Sequence, residues 1–271
     1  MTKISFIGAG KMAEALIARL PQSVLASDLD PKRLVFLKKK YRINVAQNNL
    51  EAFAAGEIVV LAIKPQHMAV VLDELSGAAK QSLPLQHRRQ KLIISIAAGI
   101  PLNYLQKNLP GLPVIRAMPN NPALIGLGVT ALAKGKLVDQ SLFKKAEQIF
   151  AVLGEVVVLP EKMIDAVTGL SGSGPAFVYQ MIEAMIAGGV AAGLPASIAQ
   201  KLAVQTCLGA AMTVKVTGKS PAELCQMVAS PGGTTIEGLK VLAKRHFPQT
   251  VAAAIIAAAK KSKIISEKWT S

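Results

Sequence analysis

Up to Pro160 the chain alternates short, nearly continuous apolar runs with longer stretches of helical period. Ile4-Ser5-Phe6-Ile7, Val24-Leu25-Ala26-Ser27, Ile58-Val59-Val60-Leu61-Ala62, Leu92-Ile93-Ile94-Ser95-Ile96 and Pro113-Val114-Ile115-Arg116 read as strands, and Met12 to Leu20 as the first helix. Runs that are apolar at every position suit a parallel sheet covered on both faces. Val129 to Ala133 and Val156 to Leu159 extend the sheet, with a helix from Asp139 to Leu153 between them. Strands alternating with helices predict βαβ units.

After Pro160 the strand signals stop. Helical patterns cover Met163 to Leu170, Pro175 to Ala192, Ser197 to Val216, Pro221 to Val228, Thr235 to Arg245 and Gln249 to Lys268, with Gly or Pro at the breaks. The expected architecture is therefore α/β: a doubly wound parallel sheet over 1–160, then an all-helical domain over 161–271. The Pro175 helix is apolar nearly all round, with Phe177, Val178, Met181, Ile182, Met185 and Ile186. Such a helix must be enclosed. A small helical domain can hardly surround it alone, so a homodimer that packs these helices together is expected.

Composition sharpens this picture. The chain is 51% hydrophobic, 17% charged and 4% aromatic, and much of the apolar content is alanine, which suits close helix–helix contact. Net charge is +15, yet the basic residues are dispersed or in short clusters such as Lys38-Lys39-Lys40 and His87-Arg88-Arg89. No basic face carries interleaved aromatics, so nucleic-acid binding is not expected; the charge favours anionic ligands instead. Ala184 to Ala199 is apolar, but it contains Gly188, Gly189, Gly193 and Pro195, and reads as a buried interface helix rather than a membrane span. Cys207 and Cys225 lack metal-ligand spacing and are expected to be buried free thiols in a reducing compartment. The N-terminus runs directly into a strand without a basic leader, so the cytoplasm is the expected location.

Two glycine turns carry the candidate chemistry. Gly8-Ala9-Gly10-Lys11-Met12-Ala13 follows the first strand and opens the first helix. It has the form G-x-G-x-x-A: one glycine for the turn, one for close approach of a pyrophosphate, and a small residue for helix–strand packing. Asp28 lies at the end of the second strand, 20 residues after Gly8. An acid there bonds an adenosine ribose 2′-OH and repels a 2′-phosphate; alternatively, Asp28 and Asp30 cap the following helix, with Pro31 at its first position. Lys32 and Arg33 follow closely enough to reach a phosphate. Local chemistry leans to NADH without excluding NADPH.

Three more segments lie at carboxyl ends of strands, where open α/β sheets bind ligands: Ala62-Ile63-Lys64-Pro65, Ser95 to Gly99, and Arg116-Ala117-Met118-Pro119-Asn120-Asn121-Pro122. The small residues Ala97, Ala98 and Gly99 leave room for a flat ring. The second turn, Ser230-Pro231-Gly232-Gly233-Thr234-Thr235, opens a helix whose free N–H groups and hydroxyls can hold a carboxylate.

With these segments in place, the chain resembles the pyrroline-5-carboxylate reductase family. The Gly8 turn, Arg116 to Ala123, Asp165 to Phe177 and Val228 to Leu239 carry the resemblance, in the same order along essentially the whole chain. It implies a Rossmann-type N-terminal domain, an all-helical dimerisation domain, dimers that assemble further into rings, and reduction of L-1-pyrroline-5-carboxylate to L-proline by NADPH or NADH. By the same resemblance, Gly8, Gly10, Lys11 and Met12 cradle the pyrophosphate and Asn49 contacts the adenosine side. Ala62, Lys64 and Pro65 lie along the ribose near the nicotinamide, with Ala97 beside the ring and Asn120 closing the pocket. Ser230, Gly232, Gly233 and Thr234 bind the substrate carboxylate, and Thr235 bonds the imine nitrogen. Two positions depart from the pattern. Asn121 replaces the usual threonine, and Leu29 stands where many members have a group that binds the 2′-phosphate.

The residues themselves suit that chemistry. His67, His87 and His246 are scattered and form no metal set. Hydride transfer to a C=N bond is carried by the cofactor, so the protein has to position the reactants, hold the carboxylate and support protonation at nitrogen. Thr235 is the candidate for the last role, either as a hydrogen-bonding hydroxyl or as a helix-capping one. A 3-hydroxyacid dehydrogenase would carry a Gly-x-x-x-Lys pattern in the first long helix of its second domain. No lysine occurs from Gly169 to Ala187. A non-catalytic nucleotide sensor would have no use for an intact Ser-Pro-Gly-Gly-Thr-Thr segment.

Overall fold

A computed structural model describes residues 3–20, 23–82 and 88–269. The chain separates into two compact units: Met1–Ser173 together with Ala257–Ser271, and Gly174–Ile256. The first unit thus runs past Pro160 and includes the C-terminal segment.

The first unit is built on eight strands: β1 (Ile4–Ile7), β2 (Val24–Ser27), β3 (Asn44–Val45), β4 (Ile58–Leu61), β5 (Leu92–Ser95), β6 (Val114–Met118), β7 (Gly128–Lys134) and β8 (Gly154–Val158). They form one sheet in the order β3-β2-β1-β4-β5-β6-β7-β8. All neighbours are parallel except β6 and β7. The central strands are apolar throughout because both faces are covered. Phe6, Ile58, Val60 and Ile94 belong to one buried cluster, and Ile7, Val59, Leu61 and Ile93 to the other. This is the period of two expected of a strand. Strand order reverses between β1 and β4, which places the ligand crevice of such a sheet at their carboxyl ends.

Helices described in this unit include α1 (Lys11–Ile17), α2 (Pro31–Tyr41), α3 (Asn49–Ala55), α4 (Met68–Ser82), α5 (Leu102–Asn108), α6 (Gln140–Ala151) and the short α7 (Ile164–Val167). The single helix expected from Met163 to Leu170 is replaced by α7 and a π turn over Thr168–Gly172. The Ser173 N–H reaches back to the Thr168 carbonyl at 2.8 Å, and Gly169 and Gly172 weaken the regular spiral.

The second unit holds α8 (Gly174–Ala191), α9 (Ala196–Thr217), α10 (Pro221–Val228), α11 (Thr234–Lys244) and the first half of α12 (Phe247–Glu267). Helices α8 and α9 approach closely: a Cβ at Gly189 would come within 3.1 Å of the Ala199 Cβ. Burial is sparse. Helix α8 has no buried residue, and α9 buries only Ala199 and Ala203. Val178, Met181 and Met185 stay substantially exposed in the single chain. Cys207 and Cys225 are free but half-exposed rather than buried, because the helices that carry them bury almost none of their residues within this unit. Among the described residues, no helix is long and apolar enough to cross a membrane. None of their His, Cys, Asp and Glu side chains form a group that could hold a metal.

Candidate active site

The turn after β1 is made by space as much as by conformation. Gly8 has φ +93, and a Cβ there would lie 2.6 Å from the Ala62 carbonyl oxygen at the end of β4. Its N–H donates to the Ser27 carbonyl of β2 at 2.9 Å. A Cβ at Gly10 would meet nothing within 4 Å, so the face over the start of α1 is open, and Gly10 caps that helix without a side-chain bond. These features fit the pyrophosphate of a dinucleotide.

A cavity of ≈ 580 Å³ lies over this turn. Gly8, Gly10, Asp28, Asn49, Ala62 and Lys64 all line it, joined by Leu29, Asp30, Ile63, His67, Val70, Val71 and Glu74. Asn49 is held from both sides: its Oδ1 accepts from the Ser27 hydroxyl at 2.8 Å, and its Nδ2 donates to Glu74 at 3.0 Å. The Asp28 carboxylate accepts from the Ala9 N–H at 2.5 Å and from the Asp30 N–H at 2.8 Å. Asp30, and not Asp28, caps α2, taking the Lys32 and Arg33 N–H groups with Pro31 at the first position. Asp28 therefore braces the glycine turn and still lines the cavity.

The remaining cofactor candidates lie differently. Lys11 is exposed on α1, and Met12 packs against the core of the first sheet face. Pro65 opens a single 3-10 turn, Pro65–His67, capped by Lys64. Ala97 is buried in the core cluster of the opposite face and does not line the cavity. Asn120 is buried and its Oδ1 accepts from the Val129 N–H at 2.9 Å, closing the link between β6 and β7. Sequence reasoning missed His67, Val70, Val71 and Glu74. Their spacing of three, four and seven marks one face of a helix, and Val70 is exposed.

Within the same unit, Arg116 on β6 is buried. It pairs with Glu161 at 3.2 Å and Asp165 at 3.8 Å. The Asp165 Oδ1 also accepts from the Ser262 and Ser266 hydroxyls at 2.7 and 3.2 Å. A Cβ on Gly99, just beyond β5, would lie 2.5 Å from the Ile265 side chain. The last turns of α12 are thus fastened beside the loop that follows β5.

In the second unit, Gly232 has φ +74, and the Gly233 N–H donates to the Ser230 carbonyl at 3.0 Å. Gly233 caps α11 with no side-chain bond. Helix α11 begins at Thr234, one residue before the expected start, so Thr235 lies inside the first turn and is not the cap. Ser230, Gly232, Thr234 and Thr235 are exposed.

A doubly wound sheet with this glycine turn, this cavity and a helical second unit defines a dinucleotide-dependent oxidoreductase. Residues 161–265 match the family described as pyrroline-5-carboxylate reductase dimerisation, and residues 3–99 the family described as NADP oxidoreductase, coenzyme F420-dependent. A pyrroline-5-carboxylate reductase from Synechocystis sp. is 44% identical, covering 98% of this chain and 99% of the relative. The Arabidopsis thaliana enzyme is 40% identical over 98% and 96% of the two chains. Among solved structures, a Coxiella burnetii pyrroline-5-carboxylate reductase superposes with a TM-score of 0.88 at 32% identity, covering 98% of each chain. The Plasmodium falciparum enzyme with NADP bound gives 0.85 at 31% identity, again over 98% of each. The chain belongs to the pyrroline-5-carboxylate reductase family. It is an oxidoreductase that takes a nicotinamide cofactor and a small-molecule substrate and forms a homo-oligomer.

Proposed function

We infer that the family's reaction, reduction of the C=N bond of L-1-pyrroline-5-carboxylate to L-proline in the last step of proline biosynthesis, is divided in this chain between the two glycine turns. The Gly8 turn takes the cofactor pyrophosphate, with Lys11 and Met12 beside it. Asn49 and Asp28 serve the adenosine end, and Ala62, Lys64 and Pro65 the nicotinamide ribose. Ala97 and Asn120 border the ring. The bound cofactor supplies the hydride.

The second turn takes the substrate. The observation that carries this reading is the start of α11, where a left-handed Gly232 and an uncapped Gly233 precede two exposed threonines. Backbone N–H groups at such a start suit a carboxylate, with Ser230, Gly233 and Thr234 around it. The Thr235 hydroxyl bonds the imine nitrogen and orients its protonation. The helical domain pairs two copies through the apolar faces of α8 and α9, dimers assemble into a larger ring, and the enzyme works in the cytoplasm. Asp28 and Asp30 at the ribose end favour NADH over NADPH.

Thr235→Ala tests the assignment. Turnover, followed by the absorbance of the reduced nicotinamide, should fall ~10- to 100-fold with the melting curve unchanged, and Thr235→Ser should restore it. Near-normal turnover in the alanine variant removes Thr235 from the reaction.

A further inference from the structure

Arg33 is the guanidinium nearest in sequence to the adenosine ribose end of the cavity, and it is already engaged. Its Nε donates to the Ala9 carbonyl at 2.6 Å, and a terminal nitrogen lies 3.5 Å from the Gly10 carbonyl. That terminal nitrogen also pairs with the Glu14 carboxylate of α1. Its guanidinium carbon lies 5.2 Å from the centre of the Phe36 ring. Glu14 is saturated in turn. Its other oxygen accepts from the Tyr41 hydroxyl at 2.9 Å and from Lys40 at 3.2 Å. Burial alone would raise the carboxyl pKa, but the bonds from Arg33, Tyr41 and Lys40 outweigh it and hold the pKa at about 2. Glu14 therefore stays charged throughout the working range of pH.

Asp28, Leu29 and Asp30 line the cavity together with Asn49. Arg33 is not part of that lining. A 2′-phosphate placed here would face two carboxylates, and the adjacent guanidinium is neutralised by a third. Lys32, exposed at the start of α2, is the remaining cation on this segment, held only by a flexible stem. A bidentate guanidinium is the stronger phosphate partner.

We propose that Glu14 is a specificity-determining residue: by holding Arg33 against the glycine turn, it denies a guanidinium to the adenosine ribose and makes the site select a 2′-hydroxyl over a 2′-phosphate. The effect acts through Arg33, so Glu14 is a positioning residue. The proposal rests on the assignment of Asp28 to that ribose.

The test is direct binding, without substrate, of NADH and NADPH to the full-length protein, read by the fluorescence of the reduced nicotinamide. The unaltered protein should bind NADH more tightly. Glu14→Gln should tighten NADPH ~10-fold, the equivalent of about 1.4 kcal/mol, with NADH unchanged. That gain should vanish in Glu14→Gln/Arg33→Ala. Arg33→Ala alone should leave the ratio of NADPH to NADH affinity unaltered, which keeps the proposal testable even if the Glu14 variant folds poorly. A selective loss of NADPH in Arg33→Ala would show that Arg33 already holds the phosphate, and would overturn the proposal. An unchanged ratio in a well-folded Glu14→Gln would overturn it too. Asp28→Ala separates the two layers. If Asp28→Ala narrows the NADH preference and Glu14→Gln does not, the ribose assignment stands and the Glu14 proposal fails. If Asp28→Ala leaves the ratio unchanged, both fail.

Discussion

Two turns with the same outward chemistry are built under opposite constraints. Gly8 is boxed in by the Ala62 carbonyl at 2.6 Å from a would-be Cβ, while a Cβ on Gly232 meets nothing within 4 Å. Both have positive φ. The first turn is wired to its surroundings: Asp28 accepts from the Ala9 N–H, Arg33 donates to the Ala9 carbonyl, and the Ser27 carbonyl accepts from the Gly8 N–H. The second turn has one internal backbone bond, from Gly233 to Ser230, on an exposed surface. One glycine is demanded by space and conformation, the other by conformation alone. A binding turn can therefore be a finished piece of the fold or an open set of amides, and sequence alone does not separate the two.

The comparison breaks most visibly at these two glycines. Gly8→Ala combines overpacking with left-handed strain and should cost about 3 kcal/mol of stability or more. It should also remove measurable cofactor binding. Gly232→Ala bears the strain alone and should cost only about 1 kcal/mol, with cofactor affinity retained and the substrate KM raised. Thermal unfolding combined with cofactor titration measures both. Equal losses in the two variants would erase the distinction between a packed turn and an open one.

Charged pairs in the two units sharpen it further. Asp165 in the first unit serves Arg116, Ser262 and Ser266 together. Glu237 in the second pairs with Lys240 at 2.7 Å, with both side chains about two-thirds exposed at 69% and 67%. Asp165→Ala leaves a buried guanidinium short of a partner and should cost about 2 kcal/mol. Amide hydrogen exchange in the last turns of α12 should quicken with it. Glu237→Ala should shift stability by less than about 0.5 kcal/mol. Comparable melting temperatures for the two variants would show that the Asp165 cluster does not fasten α12.

Much of this was legible in the sequence, and the gaps have physical causes. Seven of the strands announce themselves as continuous apolar runs. Strand β3 is only Asn44–Val45, too short to show a period. The antiparallel pairing of β6 with β7 was hidden because alternation reports which face a side chain takes and not the direction of the neighbouring strand. At the site, the glycine turn, Asp28, Ala62 and Lys64 could be named because each has a fixed place relative to a strand end, whereas Asn49, which follows the unseen β3, could be named only through the resemblance to the reductase family. Ala97 could be named but not oriented, since a one-residue change of phase decides whether its methyl meets a ring or the core. The Glu14–Arg33 pair left no local signal. The two residues lie on different helices, and only folding brings them together.

A further effect, read through pH, concerns a base buried at the far end of the same unit. The Lys91 ammonium donates to the Phe53 carbonyl at 2.7 Å and also bonds the Gly56 carbonyl, closing the end of α3. Its side chain is nearly inaccessible, and burial lowers its pKa from 10.5 to about 8, partly opposed by the charge of Glu57. Below about pH 8, folded and unfolded chains both carry this proton, so the cost of burying the charge is constant. Between about 8 and 10.5 the unfolded chain still holds a proton that the folded chain has released. The Lys91 contribution to stability therefore rises with pH across that window. Lys91→Met, which keeps the stem and drops the charge, should flatten the rise while leaving cofactor binding at the opposite ends of the strands untouched. Urea midpoints of both proteins at a series of pH values from neutral upward measure the difference. Parallel pH profiles would mean that the Phe53 and Gly56 carbonyls at the end of α3 hold the proton on Lys91 as firmly as water does.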